Sequence, residues 1–222
     1  RLMRERVVAE VEATIPGLCG DRRLAHQPIE FELPFGTRQL EDDDTPEAGV
    51  GAGDDEEADD TRPPVVVERA GERLTLAGRI DRLDHDPHTG ELVIVDYKGA
   101  NVDPFKGAGW LEGRELQAGL YALAAEELVG GGTKTVASLY QPVPGPASQP
   151  PRGATSTDLE GRGGVLRNDR LAPDVWDELL DALVRLAADA QRGIDDGVIT
   201  PEPQRCTAGG CRFPWLCRGG QA

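Results

Sequence analysis

Apolar residues along this chain follow two periods, and the change from one to the other marks out its elements. Alternation with period two, or a short unbroken apolar run, predicts strands over Pro28–Phe35, Val65–Arg69, Leu74–Leu83, Leu92–Lys98 and Thr135–Val143. Helical spacing appears in Leu2–Thr14, in Arg114–Leu128 with Leu116, Leu120, Leu123 and Ala124 on one stripe, and in Pro173–Asp196. The last of these has Pro near its start and Gly197 just past its end, as helix punctuation requires. Residues 144–170, rich in Pro, Gly and Arg, read as a loop. Strands mixed with flanking helices predict an α/β domain built on a central sheet.

Polar residues interrupt this pattern at one informative place. The apolar run Leu92–Val95 is of the kind buried on both faces of a sheet, yet it ends in Asp96-Tyr97-Lys98. Side chains alternate along a strand, so Asp96 and Lys98 share one face and Tyr97 takes the other. The preceding run, Leu76-Ala-Gly-Arg-Ile-Asp-Arg-Leu-Asp84, is joined to it through His85-Asp-Pro-His-Thr-Gly90, whose Pro and Gly predict the turn of an antiparallel hairpin. That hairpin brings Asp81 beside Asp96. Two carboxylates this close suit magnesium or manganese, hard cations that take one or two protein carboxylates and complete their shell with water and substrate phosphate. With such an ion, water is ionised at neutral pH and the developing charge on a phosphodiester is neutralised, while Lys98 positions the water or stabilises the same charge. The pattern predicts a metal-dependent nuclease.

Three motifs in order make a family resemblance specific. Gly78-Arg-Ile-Asp-Arg82, Val95-Asp-Tyr-Lys-Gly99 and Gln117-Ala-Gly-Leu-Tyr121 resemble the PD-(D/E)XK nuclease superfamily in its RecB/AddB-like branch, known from recombination helicase-nucleases and CRISPR-associated exonucleases. The similarity runs from about Glu30 to Val143 and resumes at the C-terminus. It implies a restriction-endonuclease-like mixed sheet flanked by helices, forming a single nuclease domain over residues 1–222. It also implies Asp81 and Asp96 as metal ligands, Lys98 as the catalytic lysine, and Gln117 and Tyr121, four apart on one helical face, near the DNA. The partners implied are single-stranded DNA ends and a helicase domain or subunit. In relatives an upstream helix supplies a further active-site histidine, and no residue here clearly matches it. Glu30 and Glu32, on one strand face, offer a further ligand or merely face solvent.

Four cysteines, Cys19, Cys206, Cys211 and Cys217, pose a separate question. The last three stand in a Pro- and Gly-rich segment, residues 200–219, which cannot order itself as a helix or strand face. Four thiolates suit zinc or an iron-sulfur cluster, and disulfides are the alternative. The resemblance implies a 4Fe-4S cluster, held by one cysteine before the nuclease core and three after it. The gap between Cys206 and Cys211 is longer than the branch usually shows, and Cys19 lies closer to the core than the leading cysteine of relatives.

Charge qualifies the nucleic-acid reading without removing it. A net charge of −16 opposes phosphate binding, which depends on cations that displace counterions. Residues 41–60, however, hold eleven acidic and no basic residues, and without them the balance is −5. That stretch, within 37–62, has no apolar period and reads as a flexible acidic insertion. A DNA-mimicking guard is the alternative. No apolar run reaches the length of a membrane span, and no secretory segment is visible, which predicts a cytoplasmic protein. The opening at Arg1 inside a helical pattern predicts a piece of a longer protein. His26, His85 and His88 read as solvated loop residues, and no Walker-type loop appears. The rival to an enzyme is a catalytically idle, cluster-stabilised DNA-binding or scaffolding module.

Overall fold

The computed structural model describes residues 26–36, 62–99, 101–102, 107–112, 115–143, 150–157, 159 and 167–198. The expected first helix, the acidic stretch 41–60 and all four cysteines lie outside the described residues.

The run from Leu92 to Val95 forms the middle of the sheet because it has no polar face to offer water. β5 (Glu91–Lys98) is the central strand of a five-stranded sheet. Its neighbours are β4 (Gly78–His85) and β6 (Lys134–Pro142), and the edges are β1 (Gln27–Phe35) and β7 (Arg152–Thr155). Only the β5–β6 pair is parallel; β1–β4, β4–β5 and β6–β7 are antiparallel. The expected hairpin is therefore β4–β5, closed by a turn in which the Asp86 carboxylate accepts the His88 N–H at 2.9 Å and Gly90 takes φ 76°. This mixed sheet with flanking helices is the restriction-endonuclease-like α/β fold.

A parallel pair needs a crossover, and here it runs through a short 3-10 segment, Gly107–Glu112, and helix α1 (Leu116–Val129). α1 differs from the single apolar stripe expected of it. Its buried residues are mostly small, Ala118, Gly119, Ala122, Ala124 and Ala125 with Leu123, while Leu116 and Leu120 are only partly covered. The reason is that α1 is packed by the sheet, by α2 (Pro173–Asp195) and by the hairpin of β2 (Val65–Arg69) and β3 (Glu72–Leu76), so close approach matters more than bulk. Gly119 shows this most directly, since a methyl there would strike Leu183. α2 is the amphipathic helix its pattern predicts, burying Trp176, Leu179, Leu180, Leu183, Val184 and Ala188. Arg69 on β2 ties its exposed side down through Asp177 at 2.9 Å and Asp181 at 2.5 Å.

Three local expectations are corrected. Leu74–Leu83 is two strands: β3 pairs with β2 and β4 pairs with β1, in different sheets, and the chain breaks at Ala77 between them. Residues 144–170 contain the edge strand β7 and a 3-10 turn, Arg167–Asp169. Four residues, Arg-Gly-Ala-Thr, carry no alternation to reveal a strand; the buried pair Arg152–Asp169, at 2.7 Å, and backbone pairing to β6 hold it. His26 is buried, with Nε2 3.3 Å from the Glu91 carboxylate, where a solvated position was expected.

Candidate active site

Strict alternation fails in β4 beside Asp81, the first of the expected metal ligands. Ile80 and Leu83 both face the core although they are three residues apart, and the intervening step falls at Asp81–Arg82. Pairing with β5 runs from His85↔Leu92 to Arg82↔Val95 and stops there. Beyond that point Asp81 reaches across: its Oδ2 accepts the Tyr97 N–H at 2.9 Å, a side chain standing where a ladder carbonyl would be. On the other side of β4, the register Phe31↔Arg82 and Leu33↔Ile80 sets Glu32 opposite Asp81, and Glu32 adopts φ 50°. A left-handed backbone at a residue with a Cβ costs about 1–2 kcal/mol and persists only where its surroundings impose it. Asp81 thus lies between a left-handed residue on β1 and the end of β5, where the β4–β5 ladder has stopped.

Asp96 and Lys98 face the helix side with Leu92 and Ile94, and Tyr97 packs on the opposite face against Val93, Val95, Ala137 and Leu139, as the alternation predicts. Asp96 is only 9% exposed. Its Oδ2 lies 2.7 Å from Lys98 Nζ in a close ion pair and has no other donor among the described residues. Burial pushes the Asp96 carboxyl above its ordinary pKa; the Lys98 ammonium opposes the shift, and the charge of Asp81 adds to it.

Two residues that the sequence reading passed over complete the surroundings. Tyr140 stands beside Asp96 in the parallel register of β5 and β6, and the Lys98 ammonium lies 5.5 Å from the centre of its ring. Burial, then the charges of Glu115 and Asp96, raise its phenol pKa, while the nearby Ala118 backbone in the first turn of α1 acts against them. Glu115 is the residue just before α1, and its carboxylate makes no capping bond to the helix. Burial raises its pKa, with Lys98 opposing and Asp96 adding. Tyr140 was hidden inside the apolar run Val136–Tyr140; Glu115, two residues before Gln117, was visible only as a helix-start acid.

The helical pair Gln117 and Tyr121 divides. Gln117 is exposed one turn into α1. Tyr121 is half-buried, makes an edge-to-face contact with Phe35 at 5.5 Å, and its hydroxyl accepts the Arg79 N–H at 3.3 Å. Gly78 is required beneath it, because a Cβ at that position would collide with the Tyr121 hydroxyl. Two motifs over forty residues apart in sequence are therefore in contact. Glu30 and Glu32 are taken by arginines, Arg62 at 3.2 Å and Arg79 at 3.0 Å.

The donor set suits a small hard cation. Asp96 presents a buried oxygen with no donor besides Lys98 among the described residues, and Asp81 spends one oxygen on Tyr97 and keeps the capacity of the other. Among the described residues no group of three or more His, Cys, Asp and Glu side chains converges as a metal cage. Two carboxylates beside an open end are what magnesium or manganese with substrate phosphate requires, whereas structural zinc requires four ligands.

The chain matches the family model of the PD-(D/E)XK nuclease superfamily over residues 2–218. With nearly all of its length matched, the protein belongs to that superfamily, whose members are usually nucleases and typically use magnesium or manganese. No curated protein matches the chain. No helix among the described residues is long and apolar enough to cross a membrane.

Proposed function

We propose that this protein is a magnesium- or manganese-dependent deoxyribonuclease of the RecB/AddB-like branch, an exonuclease acting on single-stranded ends in DNA repair or recombination beside a helicase domain or subunit. The observation that carries the reading is the buried Asp96 carboxylate paired with Lys98 at the end of β5, where β4 has left its pairing with β5 and Asp81 reaches across to the Tyr97 N–H. Burial disfavours the charged form of Asp96, and a bound cation would stabilise that form. Asp81 and Asp96 hold the cation, and Lys98 holds the attacking water against the scissile phosphate and steadies the charge that develops on it. When bound, the cation supplies hydroxide at neutral pH and neutralises phosphate charge. Gln117, exposed at the start of α1, is assigned to the DNA strand. The branch assignment extends to Cys19, Cys206, Cys211 and Cys217, read as ligands of the 4Fe-4S cluster that the resemblance implies.

Asp81→Ala and Lys98→Ala test the chemistry. Each should abolish magnesium-dependent cleavage of a 5′- or 3′-labelled single strand while leaving the circular-dichroism spectrum and DNA retention intact. Cleavage at near wild-type rate by either variant would reject the assignment. A wild-type protein that binds DNA but stays inert with both magnesium and manganese would make the chain an idle binding module instead.

A further inference from the structure

We propose that Tyr121 is a positioning residue for Asp81, acting through the backbone of β4 and not through nucleic acid; the proposal rests on the metal-binding reading of Asp81. Between Gly78 and Asp81, β4 keeps its pairing with β1, through Phe35↔Gly78, Pro34↔Arg79 and Leu33↔Ile80, but has lost β5. A strand released on one side leaves amide groups to be bonded by side chains or water. Two bonds from outside the ladder span the gap. The Asp81 carboxylate takes the Tyr97 N–H at 2.9 Å, and the Tyr121 hydroxyl takes the Arg79 N–H at 3.3 Å. The second bond holds the chain two residues before the first.

Tyr121 is itself held. Its ring meets Phe35 edge-on at 5.5 Å, and Phe35 is fully buried and paired with Gly78. Gly78 has no side chain, which lets the hydroxyl come down onto the strand. The hydroxyl of Tyr121 thus accepts a backbone N–H and its ring packs on Phe35, while Gln117, four residues earlier, is exposed. The two residues of the helical motif have different tasks. Gln117 faces outward, and Tyr121 fixes the width of the split between β4 and β5 and with it the distance from Asp81 to Asp96.

The test is Tyr121→Phe, which keeps the ring against Phe35 and deletes the acceptor, with Gly78→Ala as a second variant that displaces the hydroxyl from above. Manganese affinity is read directly on the protein by electron paramagnetic resonance, and kcat and KM are read on a single-stranded oligonucleotide. Tyr121→Phe should weaken manganese binding by about tenfold, the size of effect seen when an outer partner of a metal ligand is removed. It should lower kcat at limiting metal, leave KM for DNA unchanged, and recover kcat at high metal concentration. Gly78→Ala should act in the same direction. Unchanged manganese affinity in Tyr121→Phe would overturn the proposal whatever happens to cleavage. A raised KM with normal manganese affinity would make Tyr121 a nucleic-acid contact and also overturn it. If the wild-type protein binds manganese but cuts nothing, the nuclease reading fails while the positioning role stands on the affinity arm alone.

Discussion

Asp96→Asn is expected to stabilise the metal-free protein, and the gain should grow with pH. The wild-type carboxylate is buried and near the charge of Asp81, which disfavours its charged form, while the Lys98 ammonium at 2.7 Å works the other way. Burial is the largest of these influences, so the amide should gain about 1 kcal/mol, a common size for a single substitution, or roughly 2–4 °C in melting temperature for a chain of this size. The direction with pH follows from linkage. A carboxyl whose folded pKa is raised contributes stability that is fully present below the unfolded pKa and is lost as pH rises through the folded pKa. The asparagine variant has no such proton to lose. Its advantage should therefore be absent in acid, below the ordinary carboxylate range, open as pH passes the raised pKa of Asp96, and be complete by pH 8. Thermal melts by circular dichroism in a chelating buffer from pH 4 to 8 would show it. Adding magnesium should then reverse the order by stabilising only the wild type, by about 2.7 kcal/mol at one hundred times the dissociation constant. A wild-type protein more stable than Asp96→Asn at pH 8 in chelator, or a gap that ignores pH, would refute the account of this site.

Cys211→Ser or Cys217→Ser should lower thermal stability and lose bound metal, because the binding energy of a structural metal centre, about 10–16 kcal/mol for zinc in small peptides, is felt as folding energy. Anaerobic preparation followed by metal analysis checks this, and wild-type protein free of both iron and zinc would refute it. Deleting residues 41–60 should not lower the melting temperature: shortening the connection between Gly36 and Arg62 about fivefold relieves about 1.4 kcal/mol of loop-closure entropy, at about 0.6 kcal/mol per halving, which corresponds to a rise of roughly 3–6 °C. The ends of the segment that contains them already meet: the Gly36 N–H donates to the Arg62 carbonyl at 2.8 Å, so the described core is closed without it. The deletion should also tighten DNA binding at low salt, where eleven like charges are least screened; a melting point lowered by several degrees, or weaker DNA binding, would show that the segment is built into the protein.

What the amino-acid sequence determined by itself was whatever depends on neighbours along the chain. The unbroken apolar run Leu92–Val95 could only be a doubly buried strand, the turn His85–Gly90 could only fold it back on β4, and period two then assigned Asp96 and Lys98 to one face. The amphipathic stripe from Trp176 to Ala188 likewise declared α2. Tertiary structure decided what depends on residues far apart. β7 has no pattern of its own and exists because β6 offers it an edge and Asp169 holds Arg152. Helix α1 buries alanines in place of a leucine stripe because it is packed from several sides. At the site, the sequence supplied Asp81 as a carboxylate near Asp96, but its reach depends on a skipped alternation in β4, on the left-handed turn at Glu32 and on the hydroxyl of Tyr121. Those are contacts between three separate elements, and no local periodicity records them. Gly78 shows the difference most directly: along the chain it is a small residue in a strand, and only the ring of Tyr121 lying against it shows that a larger side chain there would displace the Tyr121 hydroxyl.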